Sequence, residues 1–389
     1  MSTIQSVETR HCNAGWRNYH FVRVTTTEGV VGWSEYDENL GATGITTIIE
    51  DMADVVVGKS VMAIERIRAK LIPRVRQSYT GVGAMALGAI ENALLDAKAK
   101  ELGVPCVDLL GGAVRDEIPV YWSHCGTYRI NYPEYYDPVE SLEDVRALGE
   151  EVRDSQFTAL KTNIFDFRGD EPQGWRPGFG GPFHPSLTIE ADQLAAQRDY
   201  LEALHEGAGP DVDILLDLNY NMKPEGYIRL LRELADFDLF WVEIDMPDAK
   251  ALADVRRASP HPISSCEALV PHESFVSFFR EQSMDVVIID ALWNGIQQST
   301  KIASMADAHQ YHVAPHNYYG HLATFMNAHL AAAIPNLRIM ETDIDRLPWD
   351  VDLFTTAPTY RDGKLQLSTE PGWGCEPDES ALEEHPPGA

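Results

Sequence analysis

Positive charge is scarce in this chain. Its 389 residues carry 31 Lys and Arg against 60 Asp and Glu, a formal net charge of −29. Such a surface repels phosphate backbones and anionic headgroups, which argues against nucleic acid or membrane as partners. Long apolar runs are missing too. None approaches the ~20 residues needed to span a bilayer, and the first ten residues alternate like a strand rather than building the apolar stretch of a signal peptide. The five cysteines, Cys12, Cys106, Cys125, Cys266 and Cys375, are scattered, odd in number and form no CxxC. Reduced thiols in a cytoplasmic protein are the expectation. What remains is an ordinary globular balance, 44% hydrophobic and 23% charged, over a length suited to two domains.

The first 115 residues read as strands followed by helices. Residues 3–11, 20–25 and 30–33 suggest an antiparallel meander, with the glycine turn Thr26-Thr-Glu-Gly29 between the last two. Helical periodicity covers 62–75 and 83–102. The second stretch carries Ala86, Ala89, Ala93 and Ala97 on one face, which suits close packing. From about 117 the pattern becomes strand, loop, helix, repeated. Candidate strands are 118–123, 158–162, 213–217, 239–243, 262–266, 286–290, 311–315 and 337–341. From the third onward their starts advance by 26, 23, 24, 25 and 26 residues, the length of a βα unit. Eight such units predict a (β/α)8 barrel over 116–345, preceded by a separate α+β region over 1–115. The Gly-, Pro- and aromatic-rich stretch 165–182 is a candidate lid. Residues 346–389 form a C-terminal return, and their acidic, Pro-rich end is expected to fray.

Three carboxylates close three successive strands. Asp217 follows Ile214-Leu-Leu216, Glu243 follows Leu239-Phe-Trp-Val242, and Glu267 follows Pro262-Ile-Ser-Ser-Cys266. In a closed barrel they meet at the C-terminal mouth, where converging negative charges call for a cation. A set of hard oxygen ligands without His or Cys favours Mg2+ over Zn2+. Asp290 and His316 end the next two strands, and a carboxylate beside an imidazole suits a general base. Glu341, read as ending strand eight, is a candidate acid that hydrogen-bonds a developing oxyanion in its protonated form. Lys161, ending strand two, is a candidate stabiliser or second base. Together these residues fit abstraction of the weakly acidic proton α to a carboxylate, giving an enediolate.

The chain resembles the enolase superfamily, in its mandelate racemase branch, over nearly all its length. The resemblance rests on Gly88-Ala-Ile-Glu-Asn-Ala-Leu-Leu-Asp-Ala-Lys-Ala-Lys-Glu-Leu-Gly-Val-Pro105, on Leu109-Leu-Gly-Gly112, and on the order and spacing of the six acidic and imidazole positions. It implies Asp217, Glu243 and Glu267 as metal ligands, Asp290 and His316 as a dyad, Glu341 as the strand-eight acid, and a homo-oligomer. A Lys or His base beside Mg2+ is the established pattern of enolase-type sites. The resemblance also implies that 1–115 and the C-terminal return form an α+β cap over the barrel, whose loops, here 12–18 and 36–44, would select the substrate.

One position departs from the branch pattern. Strand two ends Lys161-Thr-Asn163 where the branch usually has Lys-x-Lys, and an amide cannot accept a proton at neutral pH. Two-base racemisation is therefore disfavoured. Dehydration of a sugar acid, aldonic or aldaric, to a 2-keto-3-deoxy acid is the expected reaction. Epimerisation or lactone cycloisomerisation through the same enediolate is the alternative, and a non-catalytic metabolite-binding barrel a minor one. Asn163, Asn219, Trp16 and Arg17 are the candidate substrate contacts, joined in the loops by Asn18, Asp37, Glu38, Asn39, Tyr318 and Tyr319.

Overall fold

A computed structural model describes residues 2–39 and 42–388. Leu40 and Gly41, in the middle of one expected substrate loop, lie outside the described residues. Three antiparallel strands, β1 (Ile4–Asn13), β2 (Asn18–Thr26) and β3 (Val31–Tyr36), form the expected meander. The β2–β3 turn closes where the Thr26 N–H donates to the Val30 carbonyl at 2.9 Å. Helix α1 (Ile45–Val56) was missed by the sequence reading. Its apolar residues Ile45, Ile49, Met52 and Val56 do recur at helical spacing and are all buried. The mix with β-branched Thr46, Thr47, Val55 and Val57 weakens that signal. Helix α2 (Ile64–Leu71) and helix α3 (Val82–Leu102) follow as expected.

α3 lies between the cap sheet and the barrel and is buried along nearly all its length. Its alanine face takes β3: a Cβ on Gly32 would lie 2.3 Å from the Ala93 carbonyl oxygen and 2.6 Å from the Ala97 Cβ. Its other face takes the barrel. A Cβ on Gly88 would lie 2.7 Å from the Leu292 carbonyl oxygen. Asn92 donates to the Ala291 carbonyl at 3.1 Å and accepts from the Ile296 N–H at 2.7 Å. Small residues are needed on both sides because backbone meets backbone.

The barrel strands in chain order are Glu117–Ser123, Ala159–Thr162, Asp213–Asp217, Leu239–Glu243, Ile263–Ser265, Val286–Asp290, His312–His316 and Met340–Asp343. Consecutive strands pair in parallel from one to seven, and strand eight pairs with strand one. Strands seven and eight meet at a Val313–Leu337 bridge, where the Arg338 N–H donates to the Val313 carbonyl at 2.8 Å. The ring is thereby closed. Strand eight was expected at 337–341. Leu337 makes only the bridge, and the chain then crosses to strand one, so the strand runs on to Asp343. Glu341 is consequently internal to its strand, not its last residue.

The barrel interior is filled by Tyr121, Ala159, Leu215, Trp241, Ile288, Ala314 and Ile339. Side chains on a strand alternate faces, so the residue two further on points the same way, one layer nearer the mouth. Those residues are Ser123, Lys161, Asp217, Glu243, Asp290, His316 and Glu341. The site is thus the polar layer directly above the apolar plug.

The C-terminal return closes the molecule. Lys364–Gln366 pairs antiparallel with Glu117–Pro119 at the base of strand one. Trp373 is fully buried in the cap, its N–H donating to Asp96 Oδ1 at 2.9 Å and its indole N–H to the Trp33 carbonyl at 2.8 Å. Beyond it, where composition suggested a frayed end, the described residues include a short helix. Glu379–Glu384 forms a helix capped by Asp378, and Arg23 pairs with Glu379 at 3.1 Å. A short amphipathic segment with a good N-cap is stabilised by the sheet it rests on. Trp373→Ala removes this anchor and should cost about 3–5 kcal/mol, read as a lowered urea midpoint with the barrel's far-UV signal lost at the same or higher denaturant.

Candidate active site

The strand register assembles the site. Asp290 and His316 are partners on neighbouring strands, and His316 Nδ1 lies 2.6 Å from Asp290 Oδ2. The same carboxylate accepts from the Tyr319 hydroxyl, and its other oxygen accepts from the Trp293 N–H at 2.8 Å. With Nδ1 engaged, Nε2 is left facing Glu267 at 3.6 Å and Glu341 at 3.8 Å. Burial opposes a charged imidazole, but Glu267, Glu341 and Asp290 outweigh it and raise the His316 pKa well above its ordinary value.

Lys161 is the cation at the centre. Its Nζ lies 2.9 Å from Glu341 Oε1, 3.1 Å from Glu243 Oε2 and 3.6 Å from Asp217 Oδ2. Burial opposes its charge, yet Glu243 and Glu341 hold it protonated. Glu341 also accepts from the Ser123 hydroxyl and, at 2.9 Å, from the Asn317 N–H. Burial is outweighed by Lys161 and His316, and the Glu341 carboxyl is held below the usual carboxylate range. The expected protonated Glu341 is therefore corrected to an ionised acceptor, because three donors already satisfy it.

Asp217 and Glu243 are register partners on strands three and four. Oxygens of Glu243, Asp245 and Glu267 lie within 4.8 Å of one another, a spacing that could hold a metal ion. Asp217 stands outside this tightest cluster: its Oδ1 accepts from the Asn219 N–H at 2.9 Å and from the Asn219 side chain at 2.8 Å. Asp245, which the sequence reading overlooked, joins because it lies two residues past Glu243 and so on the same face. Burial pushes the Glu243 carboxyl up to about 7, with Asp217 adding to it against the pull of Lys161. Asp245 is pushed up to about 8 by burial, then by Glu243 and Asp217. Burial likewise raises Glu267. Among the described residues Glu243 Oε1 is buried with no hydrogen-bond partner. An all-oxygen set with an orphaned buried oxygen and proton-retaining carboxyls is what a hard divalent cation fits.

Two adjoining cavities open at the mouth. One, of about 370 Å3, is lined by Lys161, Asp217, Glu267, Trp293 and His316, with Asp37 and Asn39 from the cap. The other, of about 270 Å3, is lined by Trp16, Thr127, Tyr132, Asn163 and, from the candidate lid, Arg176. His124, Phe179, Asn219 and Tyr318 line both. The lid stretch carries a two-residue hairpin, Phe165–Asp166 with Gln173–Gly174, and presents Phe179 to the mouth.

The expected substrate contacts divide. Asn163 reaches the second cavity, where its Oδ1 accepts from the Thr127 hydroxyl at 2.9 Å and its amide lies 3.4 Å from Asn219 Oδ1. Trp16 stacks on Tyr132 with centroids 4.8 Å apart. Arg17 lines neither cavity. Its guanidinium is buried on Asp343 at 3.3 Å and on the Tyr318 carbonyl, packed among Trp16, Tyr19, Tyr128 and Tyr318. Glu38 accepts from the Gly44 and Thr46 N–H groups at the start of α1 rather than facing the site, and Asn18 bonds Gly388. Asp37 accepts from the Tyr318 hydroxyl at 2.9 Å. His124 and Asp343 were also overlooked, the first because it follows rather than ends strand one, the second because strand eight was placed too early.

The chain matches two family models, the mandelate racemase / muconate lactonizing enzyme N-terminal domain over residues 4–111 and the enolase C-terminal domain-like family over 144–381. It is 29% identical to a D-xylonate dehydratase of Haloferax volcanii over 94% of this chain and 84% of that protein. It is 28% identical to a D-galactonate dehydratase family member of Streptomyces bingchenggensis, over 99% and 93%. A crystal structure from Burkholderia xenovorans strain LB400, described as a candidate L-alanine-DL-glutamate epimerase bound to magnesium and fumarate, is 56% identical. It covers all of this chain and 97% of that one, with a TM-score of 0.98. Two family matches, over residues 4–111 and 144–381, establish that the chain belongs to the enolase superfamily, in its mandelate racemase / muconate lactonizing enzyme branch.

Proposed function

We propose that the chain is a Mg2+-dependent dehydratase of a sugar acid. The observation that carries this reading is an asymmetry. A carboxylate-backed imidazole, His316 with Asp290, opens on the cavity, whereas the strand-two position holds Asn163, an amide that cannot accept a proton at neutral pH. Relatives named as D-xylonate and D-gluconate dehydratases support it. The fumarate and magnesium of the Burkholderia structure support a carboxylate beside a divalent cation.

Asp217, Glu243, Asp245 and Glu267 would hold the cation. When bound it supplies positive charge for the substrate carboxylate and offsets the acidic groups that otherwise keep His316 protonated. His316 Nε2 takes the proton α to that carboxylate, its tautomer fixed by Asp290 at Nδ1. Lys161, already an ammonium, stabilises the developing negative charge instead of accepting a proton. Loss of the β-hydroxyl gives the enol of a 2-keto-3-deoxy acid. Asp37, Asn39, Asn163 and Asn219 offer partners to sugar hydroxyls, and Trp16, Phe179 and Trp293 keep water out. Residues 1–115 and 346–389 act as the cap that shapes the cavity over the 116–345 barrel.

Epimerisation is the second reading, favoured by the description of the 56% identical structure. The two differ in product. Incubation with Mg2+ in D2O against D-xylonate, D-galactonate, D-gluconate and galactarate should yield a 2-keto acid from at least one. Deuterium at the α-carbon with an epimer and no keto acid would sink dehydration. His316→Asn should abolish keto-acid formation, by ~10³-fold or more, with Mg2+ binding by calorimetry retained.

Protons and a cation compete for the same oxygens. Glu243 and Asp245, raised to about 7 and about 8, bind protons in the folded state that the unfolded chain has released. Stability from these groups therefore falls as pH rises through their folded values, and a bound cation restores it. The Mg2+-induced rise in Tm should be larger at pH 8.5 than at pH 6.5, and a shift independent of pH would contradict this assignment.

A further inference from the structure

The site holds a second imidazole backed by a carboxylate. His124 follows strand one, and its Nδ1 lies 3.2 Å from Asp343 Oδ1 and 3.0 Å from the Ser123 hydroxyl. Asp343 ends strand eight and is the register partner of Ser123. The dyad is thus built like that of Asp290 and His316, from two neighbouring strands of the ring. Among the described residues Nε2 of His124 makes no hydrogen bond, and the ring lines both cavities.

Strand alternation would not put this ring in the site. Tyr121 and Ser123 point inward, so His124 would face the helices. Its φ of +50° breaks the alternation, and non-glycine residues in the left-handed region cluster at active sites. Its orientation is then secured. The ring stacks on Tyr128 with centroids 4.9 Å apart and planes 13° from parallel. The Tyr128 hydroxyl donates to Asp343 Oδ2 at 2.8 Å, and Arg17 pairs with the same oxygen at 3.3 Å. Arg17, expected to touch substrate, instead helps hold Asp343 in place beneath His124.

We infer that His124, oriented by Asp343, is the general acid that protonates the departing β-hydroxyl, while His316 is the base at the α-carbon. The inference rests on the dehydration reading. Tyr318 packs against both imidazoles, 5.2 Å from the His316 centroid and 5.7 Å from that of His124. His124 stands where the two cavities join. A substrate with its carboxylate by Lys161 and its α-carbon by His316 runs its next carbons toward that junction. The α C–H bond breaks, and its proton goes to His316 Nε2. The electron pair is held as the enediolate, then shifts to form the α–β carbon–carbon double bond as the carboxylate re-forms and the β C–O bond breaks, and the oxygen leaves as water with the proton from His124 Nε2. The enol tautomerises to the 2-keto acid, and solvent returns each imidazole to its starting state. One imidazole need not serve both carbons.

The test compares wild type and His124→Asn with Mg2+ in D2O, on whichever of D-xylonate, D-galactonate, D-gluconate and galactarate wild type dehydrates. The variant should lose ~10²–10⁴-fold in kcat for keto-acid formation yet still exchange the α-hydrogen for deuterium. The 3-deoxy-3-fluoro analogue of the same acid supplies the control, because fluoride leaves without protonation. His124→Asn should release fluoride within about tenfold of wild type, as expected when only acid assistance is missing. Full dehydration by the variant, or joint loss of exchange, dehydration and fluoride release, overturns the role of His124 and leaves the dehydratase reading standing. No keto acid from wild type defeats that reading and the inference with it.

Discussion

Acidic side chains from strands three, four, five and eight converge on one closed mouth, and the fold must live with their repulsion. At ~4 Å and an effective dielectric of ~20, two like charges cost ~4 kcal/mol. Lys161 answers part of this by pairing with Glu341, Glu243 and Asp217 at once. The remainder is answered by retained protons on Glu243 and Asp245, which a divalent cation would replace. The same balance decides what each group can do. Lys161 is a fixed positive charge, Glu341 an ionised acceptor, and His316 can release its proton only when the acidic groups around it are offset.

The cap is joined to this chemistry by short polar ties. Asn92 of α3 holds both ends of the helical turn that follows Asp290. Glu35 of β3 accepts from the Gly320 and Ala323 N–H groups at the start of the helix that follows His316. Asp37 and Asn39, a few residues on, line the cavity. A helix N-terminus is well served by such a carboxylate. The cap therefore braces the segments behind both members of the His316–Asp290 dyad through side-chain-to-backbone hydrogen bonds, while its loops face the cavity.

Much of this was legible in the residue order. The βα interval and the apolar run before each strand-end residue placed Asp217, Glu243, Glu267, Asp290 and His316, since a strand's period of two carries a buried residue and a site residue on the same face. Three features were harder to read. Asp245 lies past its strand and had the look of a loop residue. Asp343 depended on where strand eight ends, which the ring closure at Val313–Leu337 shifts toward the C-terminus. His124 depends on a left-handed backbone that no periodicity signals. Arg17 went the other way: a loop arginine beside a tryptophan suits an anionic substrate, yet tertiary packing buries it on Asp343.

By itself the sequence determined the architecture and the kinds of chemistry available: eight βα units, carboxylates at successive strand ends, one imidazole–carboxylate pair, and an amide where a second lysine is usual. These follow from local periodicity and from the fixed properties of side chains. Only the tertiary structure decided their protonation and partners, because those depend on distance and burial among residues far apart in the chain. Closure of the ring set Lys161 among three carboxylates, drew Asp245 into the acidic cluster, and placed His124 and Asp343 together across the seam between the first strand and the last.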